Sequence, residues 1–578
     1  MRVSNNLFRL TALGFVLTLF TSVCSVYAQM PVYVGARENT YDDPTTNIFY
    51  VSPTGNDTTA DGTINKPYKS INTALGKIPT NSTEFTIVLR EGTYREGRRV
   101  RVQTSNTTIK SAKGEWAVID LTTYDSGNSQ HSGVEFYAEE RGTRNVVTGC
   151  KLQCVEVKGG FYAVSFETQW DWGRTDRRGA SNIVIEDCIL HHSSNDVVKI
   201  KPGCDNITIR YNEIHHSGQG HINHPDFPTG QRNSEGIDNV NGDSMHVHHN
   251  YIHDICSNGL YAKGGAINAL IENNRVEGTY GAGITLGFDT SPEFFDTMVN
   301  PQYYENIGGI VRNNLIIGAG WEGIGLYASK DVQVYNNTLI NVANYEPVAR
   351  SPIYYGIVTQ DYDNGDGCPA NINPTVHHNL ISQPSTSNRP MVDIRYTEIH
   401  LTSDTLNPTS IFPISGLTGN TTMYCNGYCV AGKSATFGDN RPSSRLTNGN
   451  LTAWKSHISS DSGSIDACPN LDTNYMTSEP QFAGMGIPYP LVLRRSSNPT
   501  SVSHSVPLSE EISAFISSGV LYIQSPVAET VEIYSIIGQL LSRHQKSEGK
   551  AAYFIDISKN TIIILRGSSG WTKRLLVQ

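Results

Sequence analysis

The sequence predicts an all-β chain: a right-handed parallel β-helix solenoid followed by a small C-terminal β-sandwich domain. Three observations carry this. A short apolar motif ending in Asn or Cys recurs along the chain. Its copies fall at two alternating spacings. Within each copy apolar and polar residues alternate, which is the period of a strand.

The copies are Ile183–Cys188, Ile207–Asn212, Met245–Asn250, Ala269–Asn274, Gly309–Asn314, Val332–Asn337 and Pro374–Asn379. Successive end residues lie 24, 38, 24, 40, 23 and 42 positions apart. Cys150, 38 before Cys188, extends the series. A step of 23 to 24 residues suits one coil of three short strands and three turns. The longer steps add an insertion of roughly 14 to 18 residues, and solenoids place insertions as loops on one face. Asn tolerates the left-handed conformation of a sharp turn. Stacked on equivalent turns about 4.8 Å apart, Asn side chains can also bond in a ladder. Hairpin-based β-folds would leave the period without a cause.

Residues 1–28 read as a secretory signal. Arg2 and Arg9 precede the apolar run Leu10–Phe20, and Val26-Tyr27-Ala28 offers a cleavage site after Ala28. A lead, 29–47, brings the chain to the solenoid, placed at 48–495. Its entry reads strand (Ile48–Asp57), short helix (Lys66–Leu75), strand (Phe85–Tyr94), with Ser70 able to cap the helix. Such a helix covers the open end, as terminal repeats must. This entry resembles that of extracellular right-handed β-helix proteins acting on polysaccharides, including pectate-lyase-like families. The resemblance implies the fold and a glycan ligand. It departs at one point: the dense Asp cluster for Ca²⁺ beside a Lys or Arg is missing from the strip described below.

Residues 496–518 read as a linker. From 519 to 578, Val520–Gln524, Val531–Leu541, Ala552–Asp556, Thr561–Arg566 and Lys573–Gln578 read as strands between polar turns. The Ile533-Tyr-Ser-Ile-Ile-Gly-Gln539 segment and the basic ending Lys573-Arg-Leu-Leu-Val-Gln578 resemble the C-terminal sorting domain of type IX secretion. That resemblance implies outer-membrane export machinery as a partner and a secreted or surface-attached monomer.

The net charge of −10 and the lack of a basic stripe argue against a nucleic-acid partner. No C-x-x-C pair occurs, which argues against a zinc or redox motif. Cys425 and Cys429 are the expected disulfide partners.

Alternation assigns an outer strip. Val198, Ile200, Ile237, Leu260 and Ala262 point inward. Glu167, Lys199, Lys201, Asp238, Tyr261, Lys263, Thr285 and Tyr327 then point outward on successive coils. Insertions at 168–180, 218–234, 288–306 and 342–368 wall the strip. They bring Trp170, Trp172, Phe294, Phe295, Tyr303, Tyr345 and the pair His221 and His224. Aromatic faces and polar edges suit sugar rings.

The first functional expectation is a polysaccharide lyase acting on uronates by β-elimination. That reaction needs a base, a positive group for the uronate carboxylate and an acid for the leaving oxygen. Lys263 is the candidate base, provided neighbouring cations and burial lower its pKa. Tyr261 or a His is the candidate acid. Lys199, Lys201 or a bound Ca²⁺ neutralises the carboxylate, with Asp238 among them. Glu167, Trp170, Trp172, His221, His224, Lys199 and Tyr327 are the candidate substrate contacts; no metal ligands are assigned. The alternative enzyme is a glycoside hydrolase, drawing two carboxylates from Asp238, Glu235, Asp243, Glu167 and Asp196. A non-catalytic glycan-binding or adhesin-like protein is the third expectation. Finally, His191-His192 and His215-His216 follow equivalent anchors and should stack, a pattern that suits a turn-surface ladder, a transition-metal site or a proton shuttle.

Overall fold

The computed structural model describes residues 38–79, 83–122, 132–138, 146–169, 178–219, 233–358, 369–400, 411–491 and 493. It also describes the strand backbones at 513–517, 520–525, 529–535, 540–546, 549–554, 561–567 and 572–577. The chain divides between Arg495 and Ser496 into two compact units.

The first unit is a parallel β-helix. Among its described residues three sheets of twelve strands each run the length of the solenoid. Sheet A begins with Ile48–Val51 and ends with Thr422–Tyr424. Sheet B runs from Val100–Val102 to Leu446–Gly449, and sheet C from Gly92–Tyr94 to Ile465–Asp466. Each coil contributes one strand to each sheet. Inward residues stack on their counterparts one coil on: Leu152, Ile185, Ile209, Val247, Ile271, Val311 and Val334 form one fully buried column. Another holds Phe136 against Phe166, rings 5.3 Å apart and nearly parallel.

The Asn ladder is present. The Oδ1 of Asn212, Asn250, Asn274, Asn314, Asn337, Asn379 and Asn426 each accepts the backbone N–H of the equivalent residue one coil earlier, at 2.9–3.1 Å. Their Nδ2 groups donate to carbonyls of that coil, such as Ile271 from Asn314. The left-handed turn falls on the residue before the anchor, not on the anchor itself. Tyr211, His249, Asn273, Asn313, Asn336, His378 and Cys425 have φ of 52–57°. The anchor Asn is therefore free to turn inward and bond. Cys150 leaves the series: the coil step there is 33, pairing Leu152 with Ile185. Cys150 thus stands level with Ile183, and Val155 takes the place equivalent to Cys188.

Both ends are covered. Ser70 caps the helix Ile71–Gly76 by accepting from the Thr73 N–H, and Ile71, Ala74 and Leu75 seal the first coils. At the other end the helix Leu451–Ile458 lays Trp454 on Phe437, rings 5.3 Å apart. That helix had no counterpart in the sequence expectations. Beyond the last coil, Tyr475, Ile487 and Leu491 pack back on Leu315, Ile317 and Ile340.

The disulfide joins Cys429 to Cys468, not to Cys425. Cys425 is the left-handed turn residue ending sheet A, whereas Cys429 lies on the next strand, in sheet C. Three residues across that corner separate the two thiols; Cys468 arrives beside Cys429 from the following turn. Replacing Cys468 with Ser should cost roughly 2–4 kcal/mol. The check is urea unfolding with and without reductant: reduction should bring the native chain to the variant's midpoint and leave the variant unmoved.

The second unit holds two antiparallel sheets. One orders Ser513–Ser517, Val520–Ser525 and Gly549–Phe554. The other orders Leu540–Lys546, Glu529–Ser535, Thr561–Gly567 and Thr572–Val577. Two sequence assignments change. The single strand expected at Val531–Leu541 is instead parts of two antiparallel strands, Glu529–Ser535 and Leu540–Lys546. The stretch expected as linker contributes a strand, because Ala514, Phe515 and Ile516 pair with Ile523, Tyr522 and Leu521.

Candidate active site

Sheet B brings the predicted strip together on its outer face. Its registers align Glu135, Ser165, Lys199, Asp238, Tyr261, Thr285 and Gly325 in one column. Two residues further along each strand, Val240 stands level with Lys263, and Tyr327 with Gly356. Continuing the Ile200–Asn239 pair, Lys201 is level with Val240. Lys201 and Lys263 therefore flank an apolar residue, while Asp238 lies between Lys199 and Tyr261.

Most of this strip is covered. Tyr261, Asp238, Thr285 and Tyr327 are all buried. The 288–306 insertion folds onto the sheet instead of only walling it. Phe288 stacks parallel to Tyr261 at 5.8 Å, and Phe295 joins Tyr327, Tyr354 and Val358 in one apolar cluster. Tyr327 is thus not an open contact; its hydroxyl donates to Glu322 Oε1 at 2.5 Å, and Arg350 lies 3.3 Å from the other Glu322 oxygen. The exposed margin is at Lys199, Lys201 and Glu167, whose side chains are 18, 31 and 19% accessible. Lys201 donates to Glu167 Oε2 at 2.6 Å. Trp170, Trp172, His221 and His224 lie outside the described residues.

The chemistry concentrates in three carboxylates. Asp196 and Glu235 occupy equivalent turn positions on adjacent coils, each three residues before a column residue, Lys199 and Asp238. One oxygen each of Asp196, Glu235 and Asp238 lie within 4.8 Å of one another, all buried. Asp196 Oδ1 accepts the Glu235 backbone N–H at 2.9 Å, and its Oδ2 lies 3.5 Å from Lys199 Nζ. Lys199 donates directly to Asp238 Oδ2. Glu235 Oε1 accepts from Ser257 Oγ at 2.8 Å and from Asn258 Nδ2 at 3.3 Å. Glu235 Oε2 and Asp238 Oδ1 are left without a hydrogen-bond partner among the described residues, as is the Thr285 hydroxyl.

Burial and crowding raise two of the three carboxyls. Burial pushes the Asp196 carboxyl well above the usual carboxylate range; Lys199 opposes this, and Asp238 and Glu235 reinforce it. Burial, then Asp238, raises Glu235. Burial opposes the Lys199 ammonium, but Asp238 and Asp196 outweigh it and hold the group charged. The Tyr261 hydroxyl is raised by burial and then by Asp238, Glu235 and Asp196.

Lys263 meets different company from that expected of a base. Its ammonium donates to the Asp289 carbonyl at 2.9 Å and sits 4.4 Å over the Tyr261 ring. Its charge acts on Glu235 and Glu305. Burial pushes Glu305 up to about 7, against bonds from the Gly264 N–H and the Thr290 hydroxyl. Its neighbours are thus acids. Asp243 stands apart, joining turns by accepting the Ile267 N–H at 2.8 Å. Ser257, Asn258 and Glu305 escaped the sequence reading. The signal for Asn258 was its register, three residues before a column residue.

The family model described as a right handed beta helix region matches residues 175–300, the coils that carry these acids. No curated protein sequence matches the chain. Among solved structures it is similar to the A-module of a mannuronan C-5 epimerase of Azotobacter vinelandii: 15% identity, TM-score 0.34, 54% of this chain and 82% of that one. A rhamnogalacturonan lyase is 10% identical with TM-score 0.42, over 76% and 99% of the two chains. A surface adhesin of Streptococcus pneumoniae is 14% identical with TM-score 0.36, over 66% and 90%. Likeness at these levels carries nothing about chemistry, which rests on the side chains.

Proposed function

We propose that this chain is an exported glycoside hydrolase that cleaves a neutral glycan at the Asp196–Glu235–Asp238 cluster. The observation that carries this reading is a cluster of three carboxylates with oxygens within 4.8 Å of one another, in which Lys199 is held against Asp238 and Asp196 but not against Glu235. Glu235, raised by burial, holds the proton for the leaving glycosidic oxygen. Asp238, held against the Lys199 ammonium, attacks the anomeric carbon. Asp196 positions both through the Glu235 N–H and Lys199. A carboxyl kept protonated by its surroundings beside one paired with a cation is how acid and nucleophile roles are divided.

The spacing bears on stereochemistry. Retaining enzymes hold their carboxyls about 5–5.5 Å apart; inverting ones need about 6.5–9.5 Å to seat a water. Oxygens within 4.8 Å favour retention. Asp238 then forms a glycosyl ester as Glu235 protonates the departing oxygen. Water, deprotonated by Glu235, cleaves that ester and restores both groups.

β-Elimination, the first expectation from the sequence, fits less well. A uronate carboxylate would enter a face where Lys199 is engaged by Asp238, Lys201 by Glu167 and Lys263 by a carbonyl. Three acids surround that entry, so the substrate's own charge is opposed unless a cation such as Ca²⁺ comes with it.

The test is a panel of neutral and uronate polysaccharides given to the purified mature chain. Reducing ends without an unsaturated-uronate ultraviolet signal support the hydrolase. That signal, lost on chelation and restored by Ca²⁺, supports the lyase and overturns this reading. Binding without products supports the adhesin-like protein. Export through a signal at 1–28 and a sorting domain at 519–578 belongs to the same proposal; the secreted form should begin at Gln29 and lack the last 60 or so residues by mass.

A further inference from the structure

A second cluster of chemical groups lies on sheet C, outside the acid site. Register stacks His191 on His215 and His215 on His253, with ring centroids 4.7 and 4.8 Å apart. The next residue on each coil, His192, His216 and Asp254, takes a left-handed turn with φ of 53–56°. That turn swings the second ring back beside the first. His192 thereby stacks on His216 at 4.8 Å, nearly parallel. Across each rung the Nδ1 atoms face each other, 2.5 Å apart in His191–His192 and 2.6 Å in His215–His216. His191, His192 and His215 each present a ring nitrogen within 4.8 Å of the others.

We propose that His191, His192, His215 and His216 form a binding site for a divalent transition metal of the zinc class, held by ring nitrogens of two successive coils. Two features point to a ligand set, not a plain surface ladder. His191 Nε2 lies 3.0 Å from Glu156 Oε1. A hydrogen on that nitrogen leaves the Nδ1 lone pair facing the cluster, the carboxylate–histidine arrangement that orients metal ligands. Second, facing Nδ1 atoms have room for one hydrogen between them, so a cation can take the place of that shared proton.

The site has defined ends. On the following coil both nitrogens of His253 face carboxylates, Glu213 at 3.3 Å and Asp254 at 2.7 Å. On the preceding coil Lys158 pairs with His191. Zinc–nitrogen bonds of about 2.0–2.1 Å require the facing nitrogens to part by somewhat under 1 Å, which ring rotation supplies. Imidazole nitrogens suit zinc, copper and nickel. The molecule also carries its own contrast. His377 and His378 repeat the facing pair at 2.8 Å, but Tyr335 and Tyr424 stack on the two sides of His377. One rung between tyrosines offers two nitrogens.

The experiment uses the full mature chain without a polyhistidine tag, stripped by a chelator and titrated with Zn²⁺ against a chromogenic indicator at neutral pH. One tightly held equivalent and a raised thermal midpoint are expected. The double variant H192N/H216N should lose that equivalent, and E156Q should weaken it about 10- to 100-fold. Asn occupies the equivalent left-handed position further along the same sheet, at Asn341 with φ of 49°, so the double variant keeps the turn. H378N should bind as the native chain does. Absence of a tight equivalent in the native chain overturns the proposal, and so does its retention in H192N/H216N. Loss in H378N, with the double variant unaffected, would place the metal elsewhere and overturn it equally. Glycan cleavage is not read, so this outcome is independent of the acid site.

Discussion

Replacing Asp238 with Asn should lower glycan turnover by about 1,000-fold or more, and Glu235→Gln should lower it about 100- to 10,000-fold. Both changes keep shape and remove one role. An amide at position 238 cannot form the glycosyl ester; an amide at position 235 cannot give or take the proton. A substrate with an activated leaving group needs no proton, so E235Q should recover much of its rate there, whereas D238N should not. Stability supplies a second readout. Glu235 titrates higher in the folded chain than its unfolded value of about 4.3, because burial and Asp238 disfavour its charge. The folded chain therefore binds that proton more tightly. Its contribution is fully present below the unfolded value and is lost as pH rises through the raised folded one. Gln carries no such penalty. E235Q should gain stability over the native chain as pH climbs from about 4 to neutrality, measured by denaturant midpoints at several pH values. An acid serving only to hold the fold would show the reverse: activity nearly kept and stability lost. Full activity in D238N would end the hydrolase reading.

The solenoid was legible because its physics repeats. Each coil must close the same turn and satisfy the same buried backbone groups, so Asn returns at Asn212, Asn250, Asn274, Asn314, Asn337 and Asn379. Cys150 misled because a buried Cys beside a Gly resembles an anchor, and a spacing of 38 matches a true step elsewhere. Alternation placed Lys199, Asp238 and Tyr261 on one face because strand period alone decides that. It gave no information about what lies over them. Whether the loop bearing Phe288 and Phe295 stands beside the sheet or folds onto it depends on contacts between residues of different coils. Asp196 and Glu235 were visible as acids, but their meeting depends on the turn three residues before the column. The disulfide failed for a similar reason: nearness along the chain does not survive a corner between sheets.

Replacing Asn314 with Ala should be the most damaging single change to the solenoid, costing about 3–5 kcal/mol. Asn314 is fully buried. Its Oδ1 accepts both the Asn274 N–H and the Asn274 side-chain amide at 3.0 Å. Its own amide donates to Ile271 O, Arg312 O and Asn337 Oδ1 at 2.9–3.0 Å. Alanine removes these at once and leaves the Asn274 N–H without a partner in a place water does not reach. Each such orphan costs about 1–3 kcal/mol, more than the net worth of the bond it lost. Asn314→Asp should also be harmful, since it keeps the acceptor but loses both amide hydrogens and buries a charge beside Asn337. Stability in a solenoid is nearly a sum over neighbouring coils. The loss should therefore appear first as faster hydrogen exchange at Asn274 and its neighbours, with the lowered urea midpoint following. A half-buried turn Asn makes the comparison: Asn336→Ser, one residue before an anchor, gives up the amide bonds to the Gly484 and Gly486 carbonyls but orphans no ladder N–H, and should cost less. Equal midpoints for N314A and the native chain would mean that the ladder follows the fold without supporting it.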